Sequence, residues 1–230
     1  MGIGRRRPLR WVIVVLVLVA AAFFGANELA TSAAQTQLAS RAQSATGAAS
    51  ASATVGPFPM LAHLLGQGTV PRVTVVLHDV AFPVLQSTVP GLPHVLAQQV
   101  DVDLRDVHVS RSELIRSRKV VVTAIGSATI SVTVTASGLS SEVGLPVTLP
   151  GAGRVRVSVH GLTAAGAFRI VDGDTVELIV GGAVVSSVAL RKGNLLPACT
   201  MVLGYAPGQL TATCTMTPVP ASIVAAMAAS

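Results

Sequence analysis

The sequence predicts a mainly β domain, built on a large antiparallel sheet that is curved or rolled, behind a basic and hydrophobic N-terminus. Three observations predict it. Val and Thr dominate the middle of the chain, and β-branched side chains suit a pleated sheet. Short runs of period-two alternation recur from residue 72 to residue 216. Between them stand Gly, Pro and Asp turn signals, with little helical periodicity.

The chain has 230 residues, of which 51% are hydrophobic, 11% charged and only 3% aromatic. A chain this apolar is not disordered, and its core must be made of Val, Ala and Leu. The net charge of +6 is misleading as a guide to partners. Arg5, Arg6, Arg7 and Arg10 supply four of those charges, so the rest of the chain is only slightly basic. No interleaving of basic and aromatic residues appears, which argues against nucleic acid.

The N-terminal arginines precede an uncharged run, Trp11 to Ala26. At about sixteen residues it lies between a signal-peptide core and a full membrane span of about twenty. Residues 1–26 are therefore expected to be a signal peptide or a transmembrane anchor, with the positive flank cytoplasmic. The remainder then sits extracytoplasmically, in the cell envelope or periplasmic space, either anchored or released. No Cys follows the run, which excludes a bacterial lipoprotein anchor.

Residues 27–54 read as a helix or stalk leading into the domain. Ala30, Ala34, Leu38 and Ala42 form one narrow helical stripe, and 46–52 reads as flexible stalk. The domain proper is expected over 55–220, with 221–230 a C-terminal tail. It opens on Gly56-Pro57-Phe58-Pro59-Met60-Leu61, where two prolines fix an extended corner. Phe58, Met60 and Leu61 are candidates to line an apolar groove, or else ordinary core.

About nine or ten strands follow with short connections. In the run from Val100 to Val109 the alternation slips by one residue, since Val107 and Val109 are out of phase with Leu104. A bulge or bend near Arg105-Asp106 restores the apolar face and lets the sheet curl. Gly126-Ser127 bends or separates the next two apolar runs. Asp172-Gly173 is a hairpin turn. Residues 138–143 are a short helix or loop.

Cys199 and Cys214 flank a turn signal at Tyr205-Ala206-Pro207-Gly208. A hairpin there brings the two sulfurs across from each other, and export makes a disulfide the expected state.

The chemistry of catalysis is missing. No nucleophile-elbow motif, phosphate loop or zinc-protease motif occurs, and the five histidines are scattered. No cofactor or metal is implied. Asp101, Asp103 and Asp106 alternate with apolar residues, as the polar face of a strand does, and are poor calcium ligands. Arg111, Arg116, Arg118 and Lys119 cluster with only Glu113 opposing them. They are either a solvated edge or a rim that meets anionic headgroups.

The order of the parts carries a resemblance. A hydrophobic N-terminal helix precedes Val55-Gly56-Pro57-Phe58-Pro59-Met60-Leu61. Val100-Asp101-Val102-Asp103-Leu104-Arg105-Asp106-Val107-His108-Val109 follows, then a Thr/Val-rich strand pair, then Leu196-Pro197 before the last hairpin. Over residues from about 27 to 220 this resembles the LmeA-like family of actinobacterial envelope proteins. The resemblance implies phospholipid binding with a role in envelope glycolipid maturation (lipomannan elongation) and permeability. It implies the tubular lipid-binding half-barrel, an α+β fold in which a strongly curved antiparallel sheet wraps an N-terminal helix and encloses an apolar groove. The partners expected are a membrane surface and an anionic phospholipid, a phosphoinositide among the candidates. The chain departs from the pattern in its Ala/Ser-rich helix, which bears on the groove's lining, and in its cysteine pair. No catalytic residue carries over. A structural or interaction domain without a ligand is the alternative, and a glycan-acting enzyme a weaker third, because no carboxylate pair is poised.

Overall fold

The computed structural model describes residues 31–56, 66–87, 94–117, 121–143, 145–159, 162–172, 175–189, 199 and 201–228. The Phe58, Met60 and Leu61 segment, Arg118, Lys119 and the hydrophobic N-terminus lie outside them. No helix among the described residues is long and apolar enough to cross a membrane.

A helix over 31–46 comes first. Ala favours it, and the hydroxyls of Thr36, Ser44 and Thr46 turn back on the carbonyls four residues earlier. Gly47, with φ 68°, ends it by donating its amide to the Gln43 carbonyl at 2.8 Å. None of the helix residues is fully buried. Contact with the main core comes through Ala42, as expected of so narrow a stripe.

The strands are β1 (Ser50–Gly56), β2 (Thr69–Ser87), β3 (His94–Val109), β4 (Val122–Thr135), β5 (Val147–Gly151), β6 (Arg154–Val159), β7 (Leu162–Val171), β8 (Thr175–Val180), β9 (Ala183–Ala189), β10 (Met201–Ala206) and β11 (Gln209–Met216). Short helices are interposed at Arg111–Ser117, Ala136–Val143 and Ala221–Ala228. All neighbouring strands are antiparallel, in the order β10-β11-β4-β3-β2-β9-β8-β7-β6-β5. The sheet is mainly β and curved, as the sequence implies.

The corner of the sheet is made by β2, which changes partner along its length. Ser50 to Gly56 pair with it as far as His78, and β9 takes over from Val84. This places β1 inside the domain and corrects the reading of 46–52 as a stalk. Ala48 is buried, and Ser50 and Ser52 pair with His78 and Val76. Small residues suffice there because the edge is held by backbone bonds rather than by packing.

Two bends let the long strands curl while keeping one face apolar. Asp106 has φ 53° and stands between Pro71 of β2 and Gly126 of β4 in the register. The buried positions change phase across it, from Val100 to Val107 and Val109. An Asp tolerates the left-handed region better than most residues. Gly126 is needed because a Cβ there would lie 2.9 Å from the Asp106 Cβ. Residues 122–135 therefore form one bent strand, not two. The second bend, at Asp79 with φ 55° opposite Gln98, separates buried Leu77 from buried Val80 and Phe82.

At the far side the two edge strands meet. The Gly208 amide donates to the Leu149 carbonyl at 2.8 Å. Gly153, with φ 72°, lies under the Tyr205 ring, where a Cβ would come within 3.2 Å of Cζ. The sheet is thus rolled until its ends touch at one corner. The expected disulfide is present, Cys199 to Cys214, with Cα atoms 5.7 Å apart.

Candidate functional site: an apolar cavity

The two halves of the rolled sheet face each other across a cavity of about 290 Å³. Phe82, Val95, Val132 and Val134 line it from the β2–β4 side. Val155, Phe168, Val176 and Leu178 line it from the β5–β9 side, and Leu203, Leu210 and Ala212 from the last hairpin. Protein interiors are normally packed without voids of this size. Here the reason for the void lies in the composition. A broad sheet rolled on itself spans more space than Val and Ala side chains can fill.

The described walls carry no charge. Ser186 is the one polar side chain among the described lining residues. It is only 8% exposed, and its Oγ has no hydrogen-bond partner. At about 30 Å³ per water-sized group, the space holds about ten such groups, the bulk of one medium acyl chain. It is at the lower end of the range for small-molecule sites, roughly 300–1,000 Å³. The space is too small for both chains and the headgroup of a diacyl lipid.

Exposure shows where the mouth is. Val132, Val155 and Ala212 are buried in its walls. Val95, Val157, Val180 and Val185 are half-buried, and Ala164 is exposed. Ala164 pairs with Val157, so the cavity reaches the surface near the β6–β7 end, and the β8–β9 turn lies two residues further back, where Val180 pairs with Gly166.

The basic residues stand elsewhere. Arg111 and Arg116 are exposed on the helix Arg111–Ser117, which Ser110 caps: the Glu113 amide donates to Ser110 Oγ at 3.4 Å, while the Ser110 amide donates to the Val121 carbonyl. Ile115 beside them is 72% exposed. This helix follows Val109, whereas the cavity meets β3 at Val95. The two are separated by about 45 Å of strand path. The structure places Arg111 and Arg116 on one short helix and does not bring them into the lining of the cavity.

The acidic residues of β3 are occupied by cations and amides. Asp103 accepts from Arg72 Nε at 2.7 Å and from Arg105 Nε at 3.3 Å, and the Arg72 hydrogen bond holds its carboxyl below the usual range. Asp101 accepts from Gln99 Nε2 at 2.9 Å. Among the described residues no group of three His, Cys, Asp or Glu is placed to hold a metal.

A rolled sheet around a cavity whose described walls are apolar except for Ser186 has the shape and chemistry to hold a hydrophobic chain. The family comparison agrees: residues 21–198 match the LmeA-like phospholipid-binding family, and the chain belongs to it. No curated protein and no solved structure matches. The match stops short of β10 and β11, which nevertheless supply Leu203, Leu210 and Ala212 to the cavity. The lining residues were missed in the sequence. Their inward phase was legible, as in Val155 and Val157 or Val176, Leu178 and Val180, but not the gap they face.

Proposed function

We propose that this is a non-catalytic lipid-binding protein of the cell envelope, acting on the extracytoplasmic side and aiding the handling of lipid or lipoglycan there. The apolar cavity, which reaches the surface at Ala164, carries the reading. A phospholipid inserts one acyl chain, and each buried methylene contributes about 0.8 kcal/mol. Its headgroup stays outside, so the cavity itself selects little by headgroup. A preference for anionic lipid, phosphoinositide included, is assigned to the separate basic helix with Arg111 and Arg116. The basic N-terminus followed by an apolar run supports export. The cavity favours this reading over a ligand-free structural domain, which needs no void.

Native mass spectra of the full-length chain, freed from detergent in the gas phase, test it. The wild type is expected to carry about one phospholipid, identified after extraction. Ala164→Trp places a large ring in the exposed mouth without burying it in the core, and is expected to abolish that adduct. An apo mass for the wild type, with no uptake from vesicles, overturns the proposal.

A further inference from the structure

The mouth of the cavity has a chemistry of its own. Four sequence stretches supply residues to the cavity lining: 83–100, 143–153, 157–168 and 178–190. None contains a Lys, Arg, Asp or Glu. Their described residues at the mouth end are apolar or small. The β8–β9 turn is Gly181-Gly182, both at positive φ and both exposed, followed by exposed Ala183. On β7, Thr163, Ala164 and Ala165 are exposed, and Leu162 is 78% exposed. Leu162 shares a strand face with Ala164 and Phe168, both of which line the cavity. The lining therefore continues past the mouth and ends on a bare leucine.

A single exposed Leu is ordinary on a protein surface. An uncharged rim around the opening of an uncharged cavity is not, because soluble proteins seldom leave large contiguous apolar surface facing water. The nearest charge on these strands fits the same picture. Arg156 is exposed, on the opposite face of β6 from Val155 and Val157, which line the cavity. It stands three residues back from the strand end at Val159, or about 10 Å. That is the depth to which an interfacial element sinks between headgroups and chains, about 5–10 Å. A rim inserted so far leaves Arg156 level with the phosphates, where a long side chain keeps its charge in water.

We propose that this rim, centred on Leu162 and the exposed start of β7, docks directly into the outer layer of a lipid bilayer, so that an acyl chain passes from the membrane into the cavity without crossing water. The proposal rests on the lipid-binding reading and names the surface from which the ligand is drawn. The contact is apolar. It requires no anionic lipid, and salt hardly screens it.

Labelling tests it in the full-length chain. Both native cysteines are bonded to each other, so Leu162→Cys provides one free thiol for a polarity-sensitive dye. Val202→Cys, at a residue 66% exposed on β10, provides the control. The chains are reconstituted into neutral phosphatidylcholine vesicles. The dye at 162 is expected to shift to the blue and to be quenched by brominated acyl chains equally at low and high salt, while the dye at 202 stays aqueous. Leu162→Asp is expected to slow lipid transfer between neutral vesicles by about tenfold or more, the scale of one exposed Leu gaining apolar contact. An aqueous dye at 162 overturns the proposal. So does insertion confined to anionic vesicles at low salt, or shielding that appears without lipid through self-association. A bound phospholipid in the mass spectra together with an aqueous 162 removes the docking mode and leaves the lipid-binding reading standing. Insertion at 162 with no bound lipid does the reverse.

Discussion

The two ends of the long strands solve opposite problems. At one end, Arg72, Asp103 and Arg105 form an ion-pair cluster across β2 and β3, and Arg111 and Arg116 project from a short capped helix. At the other, the described lining of the cavity is apolar except for Ser186, and the stretches 157–168 and 178–190 hold no Lys, Arg, Asp or Glu. The first end meets its surroundings by Coulomb attraction, which salt screens over about 8–10 Å. The second meets them by removing apolar surface from water, which salt leaves in place. A lipid-binding chain needs both kinds of contact, and this one keeps them apart. On the proposed reading, recognition of a headgroup and reception of a chain are then independent, and each can be broken alone.

The largest effect on the cavity end should come from its disulfide. Cys214 is fully buried among the residues of the main core, and Cys199 packs partly against it. The bond closes a loop of sequence separation 15 around the β10–β11 hairpin, one wall of the cavity. A loop of that size constrains the unfolded chain by about 3 kcal/mol. The double substitution Cys199→Ala and Cys214→Ala should cost about that much in chemical denaturation. Hydrogen exchange should speed up most in β10 and β11, while the Arg72–Asp103 region changes little. Uniform acceleration over both ends would show that the two halves do not open separately.

The basic end should respond next. Each cation near an anionic membrane surface is worth about 1 kcal/mol. The pair Arg111→Ala and Arg116→Ala should therefore weaken association with anionic vesicles by about tenfold or more at low salt, with the difference shrinking as salt rises. Both side chains are exposed, so folding should be unaffected. An equal loss on neutral vesicles would mean that Ile115, not charge, makes the contact.

Much of this contrast was legible in the sequence, though unevenly. Strand positions followed from alternation, and the Asp106 bend from the phase slip after Leu104, because both depend on neighbours along the chain. The disulfide followed from a turn midway between two cysteines. The bend at Asp79 was missed, since Val80 and Phe82 resume the alternation after one His-Asp step that reads as an ordinary polar pair. The strand Ser50–Gly56 was read partly as stalk because Ser and Ala say nothing about an edge whose stability comes from its partner. The helix Arg111–Ser117 was open to discovery through Ser110 and Glu113, a capping-box spacing. The cavity was not. A void is set by the distance between residues such as Val132 and Val155, on strands far apart in the sheet order, and no local pattern records it.

Ser186 sharpens the description of the cavity end. A buried hydroxyl without a partner loses its bonds to water and gains none, at a cost of about 1–3 kcal/mol. It sits where β9 pairs with both Leu178 and Ser87, beside the irregularities in both pairings. Ser186→Ala should raise stability by about 1 kcal/mol in the lipid-free chain, measured by denaturant melts, and should leave the cavity apolar throughout. A loss of stability would mean that the hydroxyl is paired in solution, and the cavity would then have one polar anchor after all.

The smallest effect belongs to the ion pairs of the basic end, and its sign follows from Asp103. The Arg72 hydrogen bond lowers its carboxyl pKa in the folded chain, with Arg105 adding to it. A carboxylate so depressed contributes stability that is fully present above the unfolded value of about 4 and is lost as pH falls through the folded value. Arg72 is largely exposed, so solvent screening keeps the contribution small. Melting temperature should therefore separate wild type from Arg72→Gln at neutral pH, with the gap closing below about pH 4. No comparable group faces the described walls of the cavity. Acid should accordingly loosen the β2–β3 ion-pair cluster while the rolled half keeps its packing, so exchange in β7 and β8 should stay constant over the same range. If β7 and β8 open in step with Asp103 protonation, the charged end is coupled to the cavity, and the independence of the two contacts fails.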